Sequence, residues 1–186
     1  MKKALALLLI LTMAVGLAAC GTTAPEQPAG AGDEPLRVAL LLNGTLGDKS
    51  FFDSADRGLQ MAKEKYGDRF EYATVEMTTD ETKWLPTLYD YADDGTWDII
   101  IVGTWQMAEP LAEVAPQYPD QKFFIFDQDM DYTAGDFGNI YSIMYKQNEG
   151  SFLAGAIAAR LSETKTIGFL GGAENPVIND FLLGYI

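Results

Sequence analysis

The chain is 186 residues long and carries 27 acidic against 13 basic residues, a formal net charge of −14. That length suits one or two domains, and so acidic a balance argues against a nucleic-acid partner, whose phosphates need a basic stripe. The sequence has no histidine and one cysteine, which excludes Ser-His-Asp and Cys-His catalysis, His-ligated metal, an internal disulfide and a zinc–cysteine cluster.

Residues 1–20 read as a secretory signal. Lys2 and Lys3 supply a positive start, residues 4–15 an apolar run, and Leu17-Ala18-Ala19-Cys20 a small-residue end. The apolar run is short for a membrane span, which needs about 20 residues. The Leu-x-Ala-Cys ending resembles the lipobox of bacterial lipoproteins. That resemblance implies cleavage before Cys20 and lipid on its sulfur and new amino terminus. It also accounts for the position of the one cysteine. Residues 21–35, rich in Gly, Ala, Thr and Pro, then read as a flexible tether.

Residues 36–42 form an apolar run that predicts a buried strand. Beyond it, Phe52, Ala55, Leu59, Ala62 and Tyr66 repeat at the spacing of one helix face, and Gly67 stops the helix. A second strand is predicted over 70–77. A helix follows over 78–94, with Trp84, Leu88 and Tyr91 on its core face, and Pro86 marks a later start or a kink. Residues 98–103 are continuous and β-branched, as a parallel strand buried on both faces should be. Met107, Leu111, Val114 and Tyr118 trace a third helix with Pro110 near its first turn. Strands are predicted over 122–126, where Phe123, Phe124 and Phe126 read as core, and over 139–145. This alternation predicts an α/β fold with a doubly wound parallel sheet over 36–146.

After Lys146 the pattern begins again. Residues 148–161 read as a small-residue helix, 166–170 as a strand, and Asn175-Pro176 as the cap of another helix. The sequence ends at Ile186 inside an apolar helical pattern. The expectation is that 147–186 start a second α/β lobe and that the chain is cut short within it.

The turn from the first strand to the first helix, Asn43 to Ala55, carries most of the unusual chemistry. In an open α/β sheet such turns lie at the carboxyl ends of strands, where ligands bind. Ser50 is placed as an N-cap, with Asp53 closing a capping-box-like pair. Capping does not account for Asp48 and Lys49 beside Phe51 and Phe52, so Asp48, Lys49, Ser50 and Phe51 are candidate ligand contacts. Trp105 directly follows the third strand and suits either binding or packing. Asp127 closes the fourth strand, where it either holds ligand or orders its own loop.

Other chemistries fail on their spacing. A phosphate-binding P-loop around Lys49-Ser50 needs glycines where Asn43 and Asp48 stand. A calcium loop from Asp127, Asp129 and Asp131 needs Gly at Tyr132 and Glu at Gly138. Neither a nucleophile elbow nor a dinucleotide fingerprint is present, and no nucleophile is paired with a base. No enzyme chemistry, cofactor or metal is expected.

Four segments, Gly47-Asp48-Lys49-Ser50-Phe51-Phe52-Asp53-Ser54-Ala55, Tyr118-Pro119-Asp120, Asn148-Glu149-Gly150-Ser151-Phe152-Leu153-Ala154-Gly155 and Ile167-Gly168-Phe169-Leu170-Gly171-Gly172, together resemble the basic membrane protein family. Its members are PnrA-like substrate-binding lipoproteins of ABC transporters. The resemblance covers essentially the whole chain after the signal. It implies a type I periplasmic-binding-protein fold with a ligand cleft between two lobes, an ABC permease as partner, and a lipid anchor on the extracytoplasmic face of the membrane. Several members bind purine nucleosides, so a nucleoside-like ligand is expected. The carried-over contacts are Asp48, Lys49, Ser50 and Phe51 at the cleft entrance and Asp127 at the end of strand four. One departure stands out: Phe52 occupies the position of a family Asn, and its helical phase points it at the core. A sensing receptor of the same fold, or an extracellular α/β enzyme, are the alternatives.

Overall fold

The computed structural model describes residues 34–186. Five strands, β1 (Leu36–Leu42), β2 (Phe70–Glu76), β3 (Ile99–Gly103), β4 (Lys122–Phe126) and β5 (Ile140–Ile143), form one sheet in the order β2-β1-β3-β4-β5. Every pairing is parallel, in a register that sets Leu36 beside Phe70, Val38 beside Ile99, Ile99 beside Lys122 and Phe123 beside Ile140. Three helices join these strands or lie between them: α1 (Phe51–Tyr66), α2 (Trp84–Asp94) and α3 (Ala108–Val114). Two more follow, α4 (Gln147–Leu161) and α5 (Pro176–Tyr185).

The central strands are apolar except for Arg37 and Lys122 near their amino ends, because both faces are covered. On one face Ala39, Leu41, Ile100, Val102, Phe123 and Ile125 pack against Trp84, Leu88, Leu111 and Val114 of α2 and α3. On the other Val38, Leu40, Leu42 and Phe126 pack with Leu59 of α1 and with Phe52. Fully burying each such Leu or Ile contributes about 1.5–3 kcal/mol. Trp84, read as core from its helix face, is buried and donates its indole N–H to the carbonyl of Thr78.

The observed elements differ from the expected ones for local reasons. The helix predicted over 78–94 begins at Trp84 because Asp80 caps a 3₁₀ turn over Glu81–Lys83, accepting from the N–H of Thr82. Pro86 is then the third helical residue, where an N–H has no helical partner to lose. Gly95 ends α2 in the left-handed region, φ 65°, which a glycine enters without penalty. The third helix is broken into 3₁₀, α and 3₁₀ pieces, and Pro116 lies in the last of them. Asn139, expected within the fifth strand, instead donates its side-chain amide to the carbonyls of Ala115, Tyr118 and Gln121. Phe124, expected in the core, is half-buried and stacks on exposed Tyr141 at 4.9 Å between ring centres.

The strand expected over 166–170 is not a strand. That segment is irregular, no partner strand adjoins it among the described residues, and Leu170 is 98% exposed. Helices α4 and α5 pack chiefly on each other. Their backbones meet at Gly155 and Gly184, where an added Cβ would fall 2.1 Å from the carbonyl oxygen of Tyr185 or Asn148 on the other helix. Ser151 adds a hydrogen bond to the carbonyl of Phe181. Phe152, Leu153, Ile157, Leu161 and Leu183 remain exposed on this pair.

Candidate functional site at the carboxyl edge of the sheet

The strand order places a topological switch between β1 and β3: from β1 the chain moves outward to β2, then returns across β1 to β3. Ligands of open α/β sheets bind outside the carboxyl ends of strands at such a point. Three short segments crowd that edge: residues 43–50 after β1, residues 104–107 after β3, and Asp127 with Gln128 after β4.

The first segment is held by two carboxylates. Asp48 accepts the N–H groups of Ser50, Phe52 and Asp53 at 2.9–3.0 Å. Asp53 reaches back to the N–H groups of Gly47 and Lys49, at 2.6 and 2.9 Å. The expected capping box is therefore not the one observed. Ser50 makes no side-chain cap, and Asp48 fills that role. A carboxylate offers more acceptor sites than a hydroxyl, and its charge suits a helix N-terminus. Partial desolvation pushes the Asp48 carboxyl up, but the N–H groups of Ser50, Asp53 and Phe52 outweigh it and hold the group below the usual carboxylate range. This bracing keeps Lys49 in the left-handed region, φ 53°, with its ammonium exposed and without an ion pair among the described residues.

Phe51 and Phe52, adjacent at the start of α1, part company. Phe51 is 40% exposed. Phe52 packs into the core against Gly44, where a Cβ would fall 2.1 Å from its ring. Phe52 thus lies on the core side of α1, as its helical phase indicated.

At the switch itself, Asn43 and Thr104 join the ends of β1 and β3. The Asn43 side-chain amide donates to Thr104 Oγ1 at 3.0 Å, and Thr104 Oγ1 donates to Gln106 Oε1 at 2.6 Å. Thr104 adopts φ 67°, and its N–H is fixed by the carbonyl of Phe126 at 2.8 Å. The next residue, Trp105, is 49% exposed. Asn43 is only 5% exposed, and its Oδ1 has no hydrogen-bond partner among the described residues.

Asp127 follows at φ 57° with its N–H bound to the carbonyl of Ile143. It is 9% exposed, and burial pushes its carboxyl above the usual range. Tyr145 neighbours it: burial, and then the Asp127 charge, push the Tyr145 phenol up. The loop that Asp127 was expected either to order or to leave for a ligand is ordered by other groups. Asp131 accepts from Thr133, and Ser142 accepts from the N–H of Met130 and bonds to the hydroxyl of Tyr132. No hydrogen bond to the Asp127 carboxylate exists among the described residues.

Asp48, Lys49, Ser50, Trp105 and Asp127 thus all lie just beyond the carboxyl ends of β1, β3 and β4, and Phe51 opens α1 at the same edge. Asn43, Thr104, Gln106 and Tyr145 escaped the sequence reading. A polar residue directly after the unbroken apolar run over 38–42, as Asn43 is, is the signal that could have found the first of them. Cys20 lies outside the described residues. Two surface hollows of ≈ 570 Å³ each lie elsewhere, one at the amino edge around Trp97, Asp98 and Tyr118, the other between α4 and α5. No group of acidic or cysteine side chains among the described residues could hold a metal ion, and none of the described helices is long and apolar enough to cross a membrane.

The family described as ABC transporter substrate-binding protein PnrA-like matches residues 36–186. Basic membrane protein A from Borreliella burgdorferi is 34% identical over 155 residues, 83% of this chain and 44% of that protein. An uncharacterized lipoprotein from Pyrococcus horikoshii is 33% identical over 195 residues, 100% of this chain and 46% of its own length. A solved ABC transporter solute-binding protein from Aeropyrum pernix superimposes with a TM-score of 0.68 at 28% identity, covering 81% of this chain and 42% of that one. The chain therefore spans less than half the length of these relatives, and its sheet has the type I solute-binding fold.

Proposed function

The chain belongs to the PnrA-like family of ABC transporter substrate-binding proteins, and on that premise we propose that it captures a small extracytoplasmic solute for an ABC permease. The solute is a nucleoside-like molecule held at the carboxyl edge of the sheet, and the protein performs no chemistry on it. The observation that carries this reading is the composition of that edge. Two exposed aromatic rings, Phe51 and Trp105, stand at the carboxyl edge together with Asp127, a nearly buried carboxylate with no hydrogen-bond donor among the described residues. Rings of that kind stack on a planar base, and Asp127 accepts from a hydroxyl or N–H of the ligand. Lys49 and Ser50 stand at the entrance, and Asp48 acts by holding their loop.

Residues 147–186 belong, in this reading, to a second lobe that closes over the edge. Cys20 carries the lipid that keeps the protein at the membrane, in line with the lipoprotein named among its relatives. The reading is tested by mass spectrometry of small molecules retained by the complete gene product after mild purification. A nucleoside released in near-stoichiometric amount is the expected result. A retained phosphorylated or lipid ligand, or none at all with no nucleoside binding by calorimetry, overturns it.

A further inference from the structure

The hydrogen bonds at the switch point form a directed relay. Asn43 donates to Thr104 Oγ1, and the one proton of that hydroxyl goes on to Gln106 Oε1. Gln106 is half-buried, beside exposed Trp105, and its Nε2 makes no hydrogen bond among the described residues. With Oε1 occupied, the free end of the Gln106 amide is its donor end.

The direction is set at Asn43. Reversing the relay would let Gln106 Nε2 donate to Thr104 and Thr104 donate to Asn43 Oδ1. The Asn43 amide would then bury both of its N–H groups without a partner. In the observed direction it leaves one N–H and its Oδ1 without a partner instead. An unpaired buried N–H is the costlier orphan, because carbonyl oxygens are more often left under-satisfied in native interiors. Asn43, shielded from solvent itself, thus fixes what Gln106 offers at the surface.

We propose that Gln106 is a specificity-determining residue and that it recognises an acceptor on the ligand, a carbonyl oxygen at the edge of a planar ring lying on Trp105. For a nucleoside ligand this selects a 6-oxopurine over a 6-aminopurine, which presents a donor at that position. The inference rests on the solute-binding reading above and deepens it. Asn43 and Thr104 are positioning residues that act through Gln106.

The test is calorimetric titration of the complete gene product with inosine and adenosine at pH 8. Wild type binds inosine the more tightly, by about three- to tenfold, the worth of one net hydrogen bond. Gln106→Glu, a carboxylate at pH 8, offers only acceptors and should reverse the ratio. Asn43→Asp can only accept from Thr104, so it turns the relay round, exposes the Gln106 oxygen and should also reverse it. Thr104→Val cuts the relay and should bring the ratio towards unity without loss of fold. Equal binding of the two nucleosides by wild type, or a preference that survives Gln106→Glu and Thr104→Val unchanged, overturns the inference while leaving nucleoside capture intact. Failure of wild type to bind either nucleoside overturns both.

Discussion

Asp48 and Asp53 divide the amide groups of one loop between them. Asp48 takes the N–H groups of Ser50, Phe52 and Asp53, and Asp53 takes those of Gly47 and Lys49. Each carboxylate holds the backbone on the other's side, so the turn from β1 into α1 is braced in both directions.

That brace gives the first prediction. Asp48→Ala removes three acceptor bonds at a helix N-terminus and should cost about 0.5–2 kcal/mol of stability, the range for losing an N-cap. The pH dependence follows from the lowered Asp48 carboxyl. Its contribution is present above the unfolded carboxylate value and is lost as pH falls through the lower folded value. Thermal melts of wild type and Asp48→Ala should therefore differ at pH 7 and converge in strong acid. A gap that widens as pH falls would contradict the brace.

Gly44 is the second case. A methyl group there would fall 2.1 Å from the Phe52 ring. Gly44→Ala should push that ring out of its place beside Leu42 and Leu59, costing about 1–3 kcal/mol, as overpacking does. Phe52→Leu, which shortens the ring side chain, should recover part of the loss in the double variant. Purely additive losses in urea melts would mean that Gly44 is needed for some reason other than the ring.

Much of the fold could be read in the sequence because its signals are local. The continuous apolar run over Ile99–Gly103 meant a strand buried on both faces, and α1 followed from the spacing of Phe52, Ala55 and Leu59. Residues 166–170 misled because a strand requires a partner, and no local pattern shows whether one is near. The candidate edge was legible by position, since residues just beyond parallel strands fall on one edge. Its wiring was not legible. Asn43 and Thr104 are 61 residues apart, and only the register of β1 beside β3 brings them together. Ser50 and Asp48 competed for one cap, and the winner depended on how Lys49 turns.

Cys20 gives a prediction outside the described residues. Its lipobox-like setting, Leu17-Ala18-Ala19-Cys20, motivates lipid attachment. Cys20→Ser should move the protein from the membrane fraction to the soluble extracytoplasmic fraction. If wild type, analysed by mass spectrometry, carries no lipid mass, or if the variant sediments with membranes as wild type does, the anchor is elsewhere.

Phe51 lies at the first position of α1 with much of its ring exposed, while Phe52 takes the core. Base stacking on an aromatic contributes roughly 1–3 kcal/mol. Phe51→Ala in the complete gene product should weaken inosine binding about five- to 150-fold and leave the apo melting temperature nearly unchanged, since little buried area is lost. An unaltered dissociation constant would remove Phe51 from the site.

Asp127 is the sharpest test of the edge. Its carboxylate is nearly buried, has no donor among the described residues, and is shifted upward by burial alone. In the folded protein without ligand the ionised form is therefore a cost. For a carboxyl raised on folding, relative stability is greatest below the unfolded value and falls as pH rises through the folded one. Asn has the same shape and tolerates the left-handed backbone found at this position, φ 57°. Asp127→Asn should then raise the apo melting temperature at pH 7, with the gain fading in acid, where wild type is itself protonated. Binding should respond in the opposite sense. A ligand hydroxyl or N–H that meets the charge forms an assisted bond, and its loss should cost on the order of 1.5–3 kcal/mol of affinity, about ten- to 150-fold. Stability up and affinity down in one variant is the signature of a group kept for its ligand at the expense of the fold. Calorimetric titration beside apo melts across pH reads both. An apo melting temperature that drops while affinity holds would mean that Asp127 supports its loop and takes no part in the site.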